Sequence, residues 1–326
     1  MNPHFETFIL ETMGAESLES STVIQTLWSG YGEIVKVNLQ GAAVDSIIIK
    51  YITVPESIRH PRGWNTNTSH KRKLKSYDIE TNWYSNWSES CSDACRVAKS
   101  YKSISHNNEH IILLEDLDTA GFSQRKTHLS LEEVKQCLKW LANFHVRFLG
   151  EVPKDLWEIG TYWHLATRPD EFEAMEEGQL KECASLIDQK LSSCKYKTLV
   201  HGDAKVANFC FSDDGKRVAA VDFQYVGGGC GMKDVTYFMG SCLSEDECER
   251  WEQVILDYYF QALKEALNLS GKSVDIVVIE SEWRSLYSMA WADFYRFVMG
   301  WMPTHKKINS YSNIQVEKAL NDISSI

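Results

Sequence analysis

The sequence predicts an α+β protein in two parts, a small strand-rich stretch over residues 1–116 and a larger, mainly helical one over 117–326. Three observations predict it. Alternating and continuous apolar runs fill the stretch from Val23 to Tyr51, and two further strand-like runs follow at Arg96–Tyr101 and His110–Leu114. After Gly121 a capping box opens a run of apolar residues at three- and four-residue steps. From about residue 233 to 322 the texture stays helical, with a second capping box at Ser244-x-x-Glu247.

Taken in order, Ile34-Val35-Lys36-Val37-Asn38-Leu39 alternates, Gly41 interrupts, and Ser46 to Ile52 resumes as a second strand. Pro55 to Asn67 is rich in Pro, Gly and Asn and reads as a loop. Lys71 to Trp87 is polar with apolar positions at Leu74, Tyr77, Ile79 and Trp83, which predicts a helix. Arg96 to Tyr101 and His110 to Leu114 read as a further pair of strands, the second ending in Glu115-Asp116. Ser130-Leu131-Glu132-Glu133 is the first capping box, and Leu131, Val134, Leu138, Leu141, His145 and Phe148 then share one helical face. Residues 198 to 226 return to short strands and turns, and no internal repeat is present.

With 326 residues the chain can bury most of its apolar surface, and its 24% charged content without low-complexity tracts suits a soluble enzyme. The net charge of −11 repels nucleic acid and anionic membrane surfaces, which argues against both as partners and mildly favours a cationic one. The nine cysteines are odd in number and lack a repeating spacing. Cys91 and Cys95 approach metal-ligand spacing without a second pair to complete a site, so reduced thiols of a cytoplasmic protein are expected. The first ten residues lack the basic and long apolar regions of a signal peptide. No run approaches the roughly 18 apolar residues that span a bilayer.

The chemistry concentrates in Leu199-Val200-His201-Gly202-Asp203-Ala204-Lys205-Val206-Ala207-Asn208. Apolar residues lead into a loop that carries an acid, then a Lys two positions on and an Asn five on. Val218 to Gln224 follows as a strand ending in a second acid, Asp222. Phosphoryl transfer calls for this set. One carboxylate accepts or orients the proton of the attacking hydroxyl, a second carboxylate and an amide oxygen hold Mg²⁺ on the phosphates, and a Lys neutralises the transferring group. Asp203, Lys205, Asn208 and Asp222 are the candidate catalytic residues, with Asn208 and Asp222 as hard-oxygen ligands for Mg²⁺.

His201-Gly-Asp203-Ala-Lys205-x-x-Asn208 followed by Asp222-Phe-Gln224 resembles the kinase catalytic loop H-R-D-L-K-x-x-N and its D-F-G. Gly in place of Arg and Gln in place of the final Gly resemble the aminoglycoside phosphotransferase and choline kinase superfamily instead. The ecdysteroid-kinase-like branch is nearest, through its apolar-apolar-H-G-D, its D-F-Q and the L-E-D-L-x-x-x-G-F stretch seen as Leu114 to Phe122. The resemblance implies a bilobal protein-kinase-like fold, with a nucleotide-binding lobe over 1–116, a catalytic and substrate-binding lobe over 117–326, and ATP as phosphoryl donor.

The resemblance then extends upstream. Gly30-Tyr31-Gly32-Glu33-Ile34-Val35-Lys36-Val37 is similar to G-x-G-x-x-G-x-V with Val35 in the third Gly position, and glycines there let a bare backbone approach phosphates. Lys50 ends the apolar run Ile47-Ile48-Ile49 as the phosphate-gripping Lys does in this superfamily. Glu80, in Glu80-Thr-Asn-Trp83-Tyr84, is its expected ion-pair partner, with Asp78 second in line. Glu115 and Leu117 fall at the hinge, where adenine meets backbone groups. His145, matching L-A-x-F-H, is expected as a satisfied core histidine, and Asp234 as an anchor of the backbone around His201.

The acceptor site is expected against the large lobe. Trp283, Tyr287, Trp291 and Tyr295 fall at four-residue steps with Asp293, Phe294, Phe297 and Trp301 nearby. Such an aromatic stripe more often packs a core, and otherwise could cage a cation. The acidic stretch Asp170-Glu171-Phe-Glu173-Ala-Met-Glu176-Glu177 reads as a solvated helix face before it reads as a polyamine site. The expectation is a kinase acting on a small hydroxylated molecule: an amino alcohol, an aminoglycoside-like or a sterol-like acceptor. The alternative is a nucleotide-binding pseudokinase, which the presence of Lys50, Asp203, Asn208 and Asp222 together disfavours.

Overall fold

The computed structural model describes residues 3–27, 30–53, 67–106 and 109–325. The chain divides into two compact units, Met1–Gln124 with Cys210–Gln224, and Arg125–Phe209 with Tyr225–Ile326.

The first unit is built on an antiparallel sheet of order β1-β2-β3-β5-β4. Its strands are β1 (Ser17–Thr26), β2 (Gly32–Gln40), β3 (Ser46–Ile52), β4 (Ser100–His106) and β5 (Glu109–Glu115). Side chains alternate across a strand, so one face gathers Val35, Val37, Leu39, Ile47, Ile49, Ile111 and Leu113. Helix α1 (Pro3–Met13) covers that face with Phe5, Phe8 and Ile9. The opposite face of β3 carries Lys50 and Ile52, and helix α2 (Asn67–Asn86) brings Leu74 and Tyr77 to it. The same alternation that buries Ile49 under α1 therefore turns Lys50 towards α2.

Cys210–Gln224 joins this unit through a short ribbon of β7 (Phe209–Phe211) and β8 (Val218–Ala220), which follow β6 (Thr198–Val200) in the chain. Val97 bridges Ala220 and Gln124 bridges Phe211. Phe223 stacks on Trp83 of α2 with ring centroids 4.5 Å apart, which ties the residue beside Asp222 to the helix that faces Lys50.

Three details depart from the sequence expectation. Helix α1 was not foreseen, although Phe5, Phe8 and Ile9 lie at helical spacing. The strand expected over Arg96–Tyr101 instead runs Ser100–His106, because buried Val97 and Ala98 pack as irregular chain while the polar stretch after them forms the sheet edge. The loop expected over Pro55 to Asn67 lies, Asn67 apart, outside the described residues.

The second unit is mainly helical. Helix α3 (Leu131–Arg147) and helices α4 (Pro169–Glu173), α5 (Gln179–Glu182) and α6 (Ala184–Ser192) precede β6. Strand β9 (Gly227–Gly229), which pairs with β6, precedes α7 (Met232–Cys242), α8 (Glu245–Ser270), α9 (Ile276–Ser285), α10 (Tyr287–Trp301) and α11 (Ser310–Ser324). Both expected capping boxes form, at Ser130 with Glu133 and at Ser244 with Glu247. The expected apolar face of α3 packs on α8, and α10 is the central helix, packed against α4, α6, α7 and α11. No helix among the described residues is long and apolar enough to cross a membrane.

Candidate active site

In the second unit β6 delivers the chain into the loop His201–Asn208. Gly202 turns it with φ +78°, and a Cβ there would lie 2.1 Å from the Tyr225 carbonyl oxygen, so only glycine fits. Asp234, from the first turn of α7, holds the loop from beneath. Its Oδ2 accepts from the backbone N–H of His201 at 2.6 Å, and its Oδ1 from that of Gly202 at 3.0 Å. Fully buried His145 on α3 lies 3.1 Å from Asp234 Oδ2 through Nε2 and 2.7 Å from the Tyr259 hydroxyl through Nδ1. The anchoring role expected of Asp234 and the core role expected of His145 are both met.

Asp203 is 6% exposed. Its Oδ2 accepts from Lys205 Nζ at 2.9 Å and from Asn208 Nδ2 at 3.1 Å, and Asn208 Nδ2 also reaches the Asp203 carbonyl at 2.8 Å. A 3₁₀ turn over Val206–Asn208 brings the Asn back to the acid. The other oxygen, Oδ1, is buried without a hydrogen-bond partner. The loop residues singled out by spacing are thus assembled around one carboxylate. Tyr237 of α7 lies beside them; burial first, then the Asp203 charge, pushes its phenol well above the ordinary range.

In the first unit Lys50 Nζ lies 2.6 Å from Glu80 Oε2 and 3.3 Å from Asp222 Oδ1. Glu80, one helical turn beyond Ser76 on α2, is the expected partner. Asp78 is not; it points to His110 at 3.8 Å with its side chain largely exposed. Burial would lower the Lys50 pKa, but the two carboxylates outweigh it and raise it, so the ammonium stays charged. Lys73 adds a second ammonium near Glu80, so the two carboxylates face two cations. Asp222 has its side chain 33% exposed and its backbone at φ +68°. Gln224 Nε2 donates to Asp222 Oδ1 at 2.9 Å, while Gln224 Oε1 accepts from Lys73 Nζ at 3.0 Å and Ser76 Oγ at 3.3 Å. The Gln of the D-F-Q therefore fixes the acid to α2, a role the sequence did not disclose.

Gly30 lies in the turn that joins β1 to β2, where its N–H donates to the Leu27 carbonyl at 3.2 Å. The residues expected at the hinge are committed differently. The Glu115 carboxylate takes Arg96 Nη2 at 2.5 Å and the Lys99 backbone N–H at 3.0 Å. The Leu117 carbonyl accepts from Phe122 N–H at 2.8 Å. Asp116 between them binds Lys36 and Ser46, each at 2.7 Å; burial would raise its pKa, but these partners outweigh it and lower it.

Trp283, Tyr287 and Trp291 of the aromatic stripe pack the core, while Tyr295 is partly exposed and donates to Asn313 Oδ1 at 2.6 Å. Helix α9 ends at Ser285 and α10 begins at Tyr287, so the stripe does not share one helix face. Trp283 packs on His145 and Tyr259, and Tyr287 bonds the Tyr311 hydroxyl at 2.8 Å. Asp293 is committed to Lys233 at 3.3 Å, Arg296 at 2.9 Å and Trp163 Nε1 at 2.9 Å. In the acidic stretch Glu171 is buried against Arg168 at 2.9 Å, while Glu173, Glu176 and Glu177 are exposed as a solvated face. The aromatic cluster beside Asp203 is a different one: Trp163, Tyr237, Phe294 and Phe297, edged by Tyr162 and Trp301. Tyr162, Tyr237 and Lys307 were missed in the sequence, where nothing in their local pattern marks them.

A family model described as ecdysteroid kinase-like matches residues 66–147 and 156–271, more than half of the chain. No curated protein matches it. Among solved structures, a microcompartment-associated aminopropanol kinase aligns over 96% of this chain and 94% of its own, at 12% identity and a TM-score of 0.50. Aminoglycoside 2'-phosphotransferase-IIIa in its GDP complex covers 99% of this chain and 100% of its own, at 10% identity and a TM-score of 0.50. A thermostable mutant of aminoglycoside phosphotransferase APH(4)-Ia, in complex with AMP-PNP and hygromycin B, covers 99% and 100% at 10% identity and a TM-score of 0.51. At these identities the likeness speaks for the fold, and the family match speaks for the lineage. The chain belongs to the ecdysteroid kinase-like family of phosphotransferases.

Proposed function

We propose that the protein is a Mg²⁺-dependent kinase that moves the γ-phosphoryl group of ATP to a hydroxyl of a small molecule. One observation carries the reading. Asp203 is gripped through Oδ2 by Lys205 and Asn208, while Oδ1 is buried and has no hydrogen-bond partner. A carboxylate held by one oxygen and open at the other is prepared to accept a hydroxyl proton.

The roles follow from each residue's surroundings. Asp203 Oδ1 orients the acceptor hydroxyl and takes its proton as the oxygen attacks phosphorus. The bond from phosphorus to the bridging oxygen breaks in line, and ADP leaves with that electron pair. Lys205 holds the carboxylate and neutralises charge near the transferring group. Lys50, kept charged by Glu80 and Asp222, contacts the nucleotide phosphates. Asp222 and Asn208 suit Mg²⁺ as hard-oxygen donors: Asp222 through its partly exposed carboxylate, Asn208 through the amide oxygen left once its nitrogen is committed to Asp203. The ion, when bound, offsets the negative charge of the phosphates and of the leaving oxygen.

The test is ADP release from Mg-ATP against amino alcohols, aminoglycosides, sugars, sterols and nucleosides, with Asp203→Asn beside the wild type. Acceptor-dependent release that the variant lacks is expected. ATP binding with no release for any acceptor sinks the kinase reading in favour of a nucleotide-binding module.

A further inference from the structure

We infer that Lys307 is a specificity-determining residue of the acceptor site: its ammonium occupies the aromatic seat beside Asp203 and turns away acceptors that carry a cation next to the reacting hydroxyl. The inference rests on the kinase reading for the word acceptor, and on the second unit alone for its geometry.

Lys307 lies in the connection between α10 and α11. Its Nζ stands 4.5 Å from the ring centroid of Tyr237 and 4.8 Å from that of Phe294. Both distances are within the range in which a ring face attracts a cation. The rings belong to the aromatic cluster with Trp163 and Phe297 that borders Asp203. Among the described residues no carboxylate forms an ion pair with this ammonium. Asp203 already has Lys205 at 2.9 Å, so Lys307 is surplus positive charge beside it. Burial first, and the nearby Lys205, lower the Lys307 pKa to about 8, with Asp203 opposing. The protein thus holds a lysine where desolvation and like charge both disfavour it, which marks the position as one with work to do.

A substrate ammonium would compete for the same ring faces and would be repelled by the charge already there. The acceptor group that meets this seat is therefore uncharged or anionic. The acidic surface of the chain as a whole points the opposite way, but it acts at long range through salt, whereas Lys307 acts at the rings themselves.

Choline and its uncharged carbon isostere, 3,3-dimethylbutan-1-ol, differ in the charge and little else. Their binding to the wild type, Lys307→Ala and Lys307→Gln, measured by tryptophan fluorescence without nucleotide, tests the seat. Affinity for choline relative to the isostere should rise at least about tenfold in Lys307→Ala, whose seat is vacated. Lys307→Gln, which keeps the stem and loses the charge, should move the ratio the same way and serves if the alanine variant does not fold. An unchanged ratio in a folded variant, or no choline binding by either variant, overturns the inference. Because no turnover is involved, a failed search for an acceptor would count against the kinase reading alone.

Discussion

Asp203 and Asp234 are two buried acids of the same unit, and both serve the loop after β6, yet their surroundings differ. Asp234 commits both oxygens, to two backbone N–H groups and to His145. Asp203 commits Oδ2 to Lys205 and Asn208 and leaves Oδ1 without such a partner, with the Tyr237 phenol interacting with the carboxylate. By burial alone the two are alike. A buried polar atom without a partner costs roughly 1–3 kcal/mol, a cost that a ligand completing it would recover. Asp234 is saturated by the backbone it holds, whereas Asp203 keeps Oδ1 for the acceptor hydroxyl proposed above to meet it.

Exchanging the two acids one at a time is the strongest way to break that comparison. Asp203→Asn should lower kcat by about 10²–10⁴-fold, the span of general-base contributions, with nucleotide affinity and melting temperature near wild type. Asp234→Ala should do the reverse. It strands two buried N–H groups and the His145 ring, for a loss of about 3 kcal/mol in urea denaturation, with activity falling as folded protein falls. If Asp234→Ala melts like the wild type but does not turn over, the division between the two acids is wrong.

A third buried acid sharpens the contrast through pH. For Asp293, burial would raise the carboxyl pKa, but Lys233 and Arg296 outweigh it and lower the value from 3.8 to about 2. A depressed acid contributes stability that is present above its unfolded value and lost as pH falls through the folded one. The window is therefore about pH 4 down to 2, and the loss about 2 kcal/mol. Urea midpoints at pH 5, 3 and 2 should fall more steeply in the wild type than in Asp293→Asn. Equal slopes would show that the pair with Lys233 and Arg296 does not hold the charge.

These contrasts also explain what the sequence could tell. The loop from His201 to Asn208 was legible because the chemistry fixes residue types at short spacing within one contiguous stretch. Lys50 and Glu80 were legible through the family resemblance, and strand alternation on β3 and a position on α2 are what bring them together. Lys307 was not: in Thr304-His305-Lys306-Lys307 it looks like a solvated basic turn, and only the distant Tyr237 and Phe294 give it a role. Asp293 looked available to a cationic acceptor because periodicity says which residues share a face, not which buried cations wait opposite. The aromatic stripe was legible as core packing, which Trp283, Tyr287 and Trp291 meet, but not its break between a helix that ends at Ser285 and one that starts at Tyr287, which four-residue spacing conceals.

The first unit holds a milder form of the same opposition, between Gly30 and Gly32. A Cβ on Gly32 would lie 2.0 Å from the Tyr51 carbonyl oxygen and 2.9 Å from Ile52 Cα, because β2 runs close against β3 there. A Cβ on Gly30 would meet nothing within 4 Å, although its φ of +77° is one that other residues adopt at a cost. Gly32 is thus explained by packing, and Gly30 only by the turn, unless phosphates come to it. Gly30→Ala should lose about 1 kcal/mol of stability from the left-handed backbone alone. If the turn receives the nucleotide, the added methyl should also raise KM for ATP severalfold at little change in kcat, since it hinders ground state and transition state alike. Gly32→Ala should act through stability, by forcing two strands apart. A Gly30→Ala enzyme with unaltered KM would remove the turn from the nucleotide site and leave Lys50 and Asp222 as the residues of the first unit proposed to meet the phosphates and their ion.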